Sequence, residues 1–263
     1  MTERNMSITN MIVAIESRYS EEKRLFDKAH LWAYFVLRRI AYYPTWLCLK
    51  AGLSANQVTV GSLIASIVGC GFLAFGSYWS VITGAALVNL WALLDHVDGN
   101  VARYNNSASN YGEFLETLTW AILGALLFIS VGIGVYRHPD SVLGAIIQRF
   151  FSIHIDRGLF LFLGSWASLF YILHEFIYRA FERIFAPIQQ SLVSKFKAAT
   201  MDSILYKLEA NIDDIIGFIL PVLLVCAVLQ ALSVFLLAWA IIPTGAFIAV
   251  TIQILRRIKT ENG

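Results

Sequence analysis

Three carboxylates stand near the point where two apolar stretches of the sequence meet. Asp95 and Asp98 are three residues apart, so on a helix they share one face, and Glu116 comes near the start of the next apolar stretch. Carboxylates at a membrane boundary are costly unless a cation or a basic group offsets them. Oxygen ligands suit hard divalent cations that bridge carboxylates to phosphates, so the spacing predicts a Mg²⁺ or Mn²⁺ site. The alternative is that Asp95 and Asp98 cap a helix end and face solvent, although acids there oppose the helix macrodipole.

Other residues nearby suit a phosphorylated ligand. Arg103 is able to make a bidentate contact to a phosphate, and Gly99 and Gly112 leave space for a nucleotide to approach the helix ends. His96 points to a different helix face from its acidic neighbours. This favours a role in packing or in supporting a ligand over direct binding of the metal.

The elements that must position these residues are membrane spans. The 263-residue chain is 58% hydrophobic and only 14% charged, with a mean hydropathy of +0.65, whereas soluble domains are about 45–50% apolar and about 25% charged. Stretches without Asp, Glu, Lys or Arg cover 51–94, 117–136, 158–174 and 215–255, with lengths of 44, 20, 17 and 41 residues. Since a span needs about 20 residues, the long stretches are hairpins and the short ones single spans. The predicted fold class is all-α, a polytopic membrane protein with six transmembrane helices.

The breaks between these helices are predicted from local signals. The turn Gly76-Ser77-Tyr78 divides the first hairpin, and the second hairpin breaks near Gln230–Ser233. A polar cytoplasmic loop over residues 99–111 joins the second span to the third. Residues 51–263 are therefore expected to form one six-helix membrane domain.

The first 50 residues are expected to form a separate cytoplasmic or interfacial segment. From Arg24 to Lys50, apolar and basic residues mix in a way that suits an amphipathic helix in the membrane interface, with a bend at Pro44.

The distribution of basic residues predicts the orientation. With both termini in the cytoplasm, 17 of the 20 Lys and Arg residues lie inside, and the outer side holds only Arg137, Arg149 and Arg157. We therefore expect a multi-pass protein of the cytoplasmic membrane, with the acidic residues on the cytoplasmic side.

The acidic residues belong to a longer pattern that resembles a known family. The CDP-alcohol phosphotransferases share the motif Asp-x2-Asp-Gly-x2-Ala-Arg-x8-Gly-x3-Asp-x3-Asp. This sequence keeps every spacing and matches six of the residues, which are Asp95, Asp98, Gly99, Ala102, Arg103 and Gly112. Upstream, residues 53–59 resemble the start of the family's first span. The resemblance covers residues 50–255 and implies that Asn56 and Thr59 contact the nucleotide.

Two positions depart from the family motif. The third acid is Glu116, which keeps the charge with a longer reach, and the fourth position is Trp120. In the family that fourth Asp helps to deprotonate the acceptor alcohol, and an indole cannot accept the proton. The resemblance places Trp120 in the substrate-binding part of the site. Asp213 and Asp214 are candidates to replace the base, or they are ordinary acids at a helix start.

The resemblance implies an enzyme that moves a substituted phosphoryl group from a CDP-linked alcohol donor to the hydroxyl of a lipid or alcohol acceptor, with release of CMP. Catalysis is expected from Asp95, Asp98, Arg103 and Glu116, the three acids holding the divalent metal. We expect membrane lipid as a partner and no nucleic acid, and a homodimer is left open. The alternatives are a catalytically inactive relative that binds CDP-linked ligands as a partner subunit, which Trp120 favours, and a transporter, for which repeat symmetry is missing.

Overall fold

The structure is a computed structural model that describes residues 7–19, 30–140, 156–201 and 215–261, together with Arg24, Lys28 and Val142. Every regular element in these ranges is helical. The chain is an all-α polytopic membrane protein, as its composition predicts.

Eight α-helices follow one another in the described ranges. They are α1 Ile8–Ser17, α2 Arg38–Lys50, α3 Ala55–Phe75, α4 Tyr78–Asn105, α5 Asn110–Arg137, α6 Gly158–Met201, α7 Leu220–Val228 and α8 Leu232–Glu261. Two π-helical stretches, Ala33–Leu37 and Ile215–Ile219, lead into α2 and α7.

Five helical segments in the described part of the chain are long and apolar enough to cross a membrane. They are Ala55–Phe75, Tyr78–Asn105, Asn110–Arg137, Gly158–Ile177 and Leu232–Arg256, with mean hydropathies from 1.4 to 2.2. The apolar helix Gly217–Val228 corresponds to the predicted fifth span. At a rise of about 1.5 Å per residue it covers about 18 Å of a hydrocarbon core about 30 Å thick. Residues 202–214, which precede this helical region, lie outside the described ranges, so the fifth of the six predicted spans stays a prediction.

Both predicted hairpin breaks are confirmed. Gly76 ends α3 in the left-handed conformation, with φ 82°, and a side chain at this position would also collide with the carbonyl oxygen of Gly134 in α5. Glycine is therefore needed at this turn both for the backbone conformation and for the space. The second break lies between α7 and α8, where Gln230 has φ 55°.

The loop after the second span is shorter than the sequence predicts. In place of a loop over 99–111, α4 continues to Asn105 and α5 begins at Asn110. The polar composition of this stretch is misleading because Asn100 and Val101 are buried and extend the packed face of α4. The structure thus also excludes a solvent-facing cap at Asp98, which lies seven residues before the last residue of α4.

The third and fourth spans cross at close range. A Cβ atom added at Gly132 of α5 would lie 2.6 Å from the carbonyl oxygen of Phe160, and one added at Gly164 of α6 would lie 2.5 Å from that of Phe128. Small residues let backbones approach in a membrane, where lipid is as apolar as a leucine side chain. This crossing helps to fix α5 within the bundle, and α5 carries Glu116.

The segment before the spans packs on the end of α4 that carries Asp98. Met11 and Ile15 of α1 are fully buried in a cluster with Val97 and Val101 of α4. The amphipathic helix predicted for residues 24–50 corresponds to the π-helical stretch and α2, and α2 continues through Pro44. Its position in the membrane interface stays a prediction.

Candidate active site

Asp98 is the most buried acid of the motif, with 7% of its surface exposed. It lies on α4 and faces the start of α3, where the hydroxyl of Thr59 donates a 2.7 Å hydrogen bond to its Oδ2. The start of α3 is fixed by a capping box, in which Ser54 accepts from the Gln57 amide and Gln57 accepts from the Ser54 amide. Local sequence therefore places Thr59 one turn into α3, opposite the carboxylate.

The other two acids of the motif are less buried than Asp98. Asp95 is half-buried one turn earlier on α4, and Glu116 is exposed on α5. The Glu116 carboxylate repels the negative charge of Asp98, and the Arg103 guanidinium attracts it. Among the described residues, no three His, Cys, Asp or Glu side chains come together closely enough to hold a metal ion. The oxygen donors still fit a hard cation, since Mg²⁺ commonly takes only one or two protein carboxylates together with waters and substrate phosphates.

Arg103 lies folded back along its own helix. Its Nη1 donates a 3.2 Å hydrogen bond to Oδ1 of Asn100, whose amide nitrogen in turn donates to Oγ1 of Thr45 at 3.3 Å. A Cβ atom added at Gly99 would lie 3.3 Å from Nη1 of Arg103. The sequence predicts Gly99 at a helix end, but the structure places it inside α4. There its lack of a side chain leaves space for the Arg103 guanidinium.

Gly112 and Asn56 bring the starts of α5 and α3 together. A Cβ atom added at Gly112 would lie 3.3 Å from Oδ1 of Asn56, and the Gly112 amide donates to Oγ of Ser109 at 3.2 Å. Ala102 is half-buried on α4. Among the residues predicted to bind the nucleotide, Asn56 and Gly112 thus lie side by side.

His96 is engaged with its own helix. Its Nδ1 lies 2.9 Å from the carbonyl oxygen of Ala92, so Nδ1 carries the proton and donates it to that oxygen. This agrees with the packing or supporting role that its position on the helix favours.

Trp120 packs against a tryptophan that the motif does not include. Its indole meets Trp91 of α4 edge to face, with ring centroids 4.9 Å apart and an interplanar angle of 80°. Trp91 is fully buried and Trp120 half-buried. The fourth motif position is therefore joined to the apolar core of the bundle.

The sequence did not reveal several neighbours of the site. The ring of Tyr19 lies 4.1 Å from the Arg103 guanidinium, and Arg18 donates hydrogen bonds to the carbonyl oxygens of Arg103 and Tyr104. These contacts join residues more than 80 positions apart, so no local sequence pattern predicts them. Asp213 and Asp214, the candidates for a replacement base, lie outside the described residues.

The part of the chain that resembles known proteins includes this site. The family model for CDP-alcohol phosphatidyltransferase matches residues 53–206, which include the whole motif. Cholinephosphotransferase 1 of Gallus gallus is 30% identical over 138 residues, which make up 48% of this chain and 38% of that protein. The matched part therefore spans well under half the length of this curated relative.

Proposed function

This chain belongs to the CDP-alcohol phosphatidyltransferase family, and on that premise we propose that it transfers a substituted phosphoryl group, phosphatidyl or phospho-alcohol, from a CDP-linked donor to an acceptor hydroxyl and releases CMP. The observation that carries the proposal is the buried Asp98 carboxylate, bonded to Thr59 and influenced by both Glu116 and Arg103. A buried carboxylate with a second acid and a guanidinium nearby suits the phosphates of a nucleotide and a cation that accompanies them.

We propose that Asp95, Asp98 and Glu116 would hold the metal, one or two of them directly and the others through water, together with the donor phosphates. The family is generally dependent on a divalent metal, and when bound, Mg²⁺ or Mn²⁺ supplies polarisation of the diphosphate and stabilisation of the CMP leaving group. The hydroxyl of Thr59 orients the Asp98 carboxylate, as an outer partner orients a metal ligand.

The remaining residues are proposed to hold the donor. Arg103 orients the donor phosphates through its N–H groups. The nucleotide is proposed to lie against the starts of α3 and α5 and the neighbouring part of α4, in contact with Asn56, Thr59, Gly99, Ala102 and Gly112. Trp120 is proposed to lie in the substrate-binding part of the site where the acceptor binds.

The proposed transfer requires a base for one proton. The acceptor oxygen forms a bond to the phosphorus that carries the donor alcohol, and the bond from that phosphorus to the oxygen bridging to CMP breaks. CMP leaves with the electron pair, and the acceptor proton goes to a base. Since Trp120 accepts no proton, the candidates for that base are Asp213 and Asp214, and no base is needed if the acceptor is already ionised.

The distribution of basic residues supports the proposed location and orientation in the membrane. We propose that the protein lies in the cytoplasmic membrane with both termini and the active site in the cytoplasm, because 17 of 20 basic residues then lie inside. At least one substrate is a lipid, since the site lies near the end of the spans. The role would be a step of phospholipid or related glycolipid synthesis, and the cholinephosphotransferase name of the chicken relative supports the phospholipid case.

One observation favours a second candidate function. The Trp120 indole occupies the place of the family's fourth acid and is fixed by its contact with Trp91. A relative that binds CDP-linked ligands without transferring them, as a partner subunit, would have this arrangement.

A CMP-release assay tests the proposal. The purified protein in lipid is given a panel of CDP-alcohols and acceptors, with and without Mg²⁺ or Mn²⁺. We expect metal-dependent release of CMP with at least one donor. Binding of CDP-linked nucleotides without release would favour the second candidate, and neither binding nor release would contradict both.

A further inference from the structure

The motif arginine is held by residues that lie outside the part of the chain matched by the family. That match begins at residue 53, whereas Arg18 and Tyr19 directly follow α1. Arg18 donates from Nη1 to the carbonyl oxygens of Arg103 and Tyr104. These carbonyls belong to the last turn of α4, where the macrodipole favours a cation, and the Arg103 carbonyl also accepts from the Asn106 amide.

Tyr19 contacts the side chain of the same arginine. The Arg103 guanidinium lies 4.1 Å from the centre of the Tyr19 ring, and the Arg38 guanidinium lies 3.9 Å from it. A guanidinium is planar and stacks on an aromatic face while the N–H groups along its edge stay able to bind phosphate. Contact with the ring therefore restricts Arg103 without consuming its donors.

The segment that supplies these contacts is itself anchored. The Glu16 carboxylate lies 3.2 Å from Nη2 of Arg38 and 3.5 Å from Nη2 of Arg24, and it accepts a hydrogen bond from the Tyr42 hydroxyl. Met11 and Ile15 of α1 are fully buried in a cluster that also contains Ala41 and Leu49 of α2 and Val97 and Val101 of α4. Both polar and apolar contacts thus hold residues 8–19 beside Arg103.

We propose that residues 8–19 form a clamp that positions Arg103 for the donor phosphates, with Tyr19 as the positioning residue. This inference rests on the proposed function, because it assumes that Arg103 binds the phosphates of a CDP-linked donor. It adds a part of the site that the matched region does not contain. The Arg18 contacts fix the backbone of Arg103, and the Tyr19 ring selects one orientation of its guanidinium.

A clamp and a mere structural tether make different predictions for two variants of Tyr19. Tyr19→Phe keeps the aromatic face and should bind CDP like the native protein. Tyr19→Leu removes the face and should bind CDP about two- to fivefold more weakly, the range typical of a lost cation–π contact at a partly exposed site. In an Arg103→Gln background, Tyr19→Leu should cause no further loss, because Tyr19 acts only through the guanidinium.

The experiment measures the dissociation constant of CDP in the presence of Mg²⁺ for the full-length protein in lipid nanodiscs. The proteins compared are the native chain, Tyr19→Phe, Tyr19→Leu, Arg103→Gln and the double variant Tyr19→Leu/Arg103→Gln. Tyr43→Leu is the matched control, since Tyr43 is 60% exposed on α2 and has no place in the clamp. Thermal unfolding of each variant shows that the fold is intact.

The outcomes separate the clamp from the function on which it rests. Equal CDP affinities for the native protein and Tyr19→Leu, or an equal loss from Tyr19→Leu with and without Arg103, would overturn the clamp and leave the proposed function standing. Failure of the native protein to bind CDP would overturn the proposed function, and the clamp with it. A loss in Tyr19→Leu that Tyr19→Phe restores and Arg103→Gln abolishes would establish Tyr19 as a positioning residue.

Discussion

The hydroxyl of Thr59 donates a 2.7 Å hydrogen bond to the carboxylate of Asp98 across the interface between α3 and α4. Both residues are buried, with 5% and 7% of their surfaces exposed. A buried acceptor that loses its donor bears the cost of desolvation, about 1–3 kcal/mol and more for a charged group. This hydrogen bond therefore both stabilises the interface between α3 and α4 and orients the Asp98 carboxylate.

The first prediction concerns that contact. Thr59→Val keeps the shape of the side chain and removes the donor, so it should destabilise the protein by about 1–3 kcal/mol and weaken its affinity for Mg²⁺ with CDP. The measurement is thermal unfolding in detergent together with nucleotide binding. Ser66→Ala is the control, because Ser66 is buried on the same helix and donates to the carbonyl of Leu63 at 2.8 Å. Equal effects of the two variants on binding would mean that Thr59 does not orient Asp98.

The second prediction concerns Trp120. Trp120→Asp restores the family's fourth acid but removes the contact with Trp91, so it should lower stability while preserving CDP binding. Because general-base assistance is worth about 10²–10⁴ in rate, we expect slow CMP release by the native protein and faster release by the variant. Trp120→Phe, which keeps a ring against Trp91, should behave like the native protein. Release by Trp120→Asp alone would indicate a relative that binds its ligand without turning it over.

The third prediction concerns pH. Burial, the hydrogen bond to Glu16 and the Glu16 charge raise the pKa of Tyr42 above its ordinary value of 10.0, while Arg38 lowers it by less. Folding therefore favours the protonated phenol, and its contribution to stability is complete below about pH 10. It is lost as the pH rises through the folded-state pKa. The melting temperature of the native protein should exceed that of Tyr42→Phe at pH 8, and the difference should shrink above pH 10.

A matched control isolates this effect from the titration of other groups. Tyr43 is 60% exposed on the same helix, so Tyr43→Phe should show the same pH dependence as the native protein. A constant difference between the native protein and Tyr42→Phe from pH 8 to pH 11 would contradict the prediction.

The fourth prediction concerns orientation in the membrane. In a variant without native cysteines, a membrane-impermeant thiol reagent applied from outside should label Pro139→Cys and miss Ser107→Cys. Both positions are exposed. Asp140 is unsuitable as the outer site because its carboxylate accepts hydrogen bonds from the amide and the hydroxyl of Ser233. Labelling in the reverse pattern would place the motif outside and remove access to cytosolic donors.

The sequence predicts some parts of this molecule better than others, for physical reasons. Long stretches without charges predict spans because every residue contributes to partition into lipid, and Gly76 marks a turn because few other residues adopt its conformation. The extension of α4 to Asn105 was missed, since only tertiary packing shows that Asn100 and Val101 are buried. Polar composition alone favoured a loop there.

In the candidate site, too, the sequence predicts some contacts and not others. Spacing within one helix predicts that Asp95 and Asp98 share a face, and the family resemblance points to Thr59, which the structure places against Asp98. The contact of Tyr19 with Arg103 lies beyond such reasoning. It depends on how α1 packs, and nothing near Tyr19 in the sequence indicates a partner in the motif.

The most direct test of the account compares the native protein with Asp98→Asn. Asparagine keeps the size of the side chain and an oxygen that accepts from Thr59, so the fold should survive while the charge is removed. Glu175→Gln is the control, because Glu175 pairs with Arg179 in an exposed ion pair of little energetic value. We predict that Asp98→Asn lowers metal-dependent CMP release by at least about 100-fold and that Glu175→Gln leaves it unchanged. Release of CMP by Asp98→Asn at the native rate would contradict the central claim.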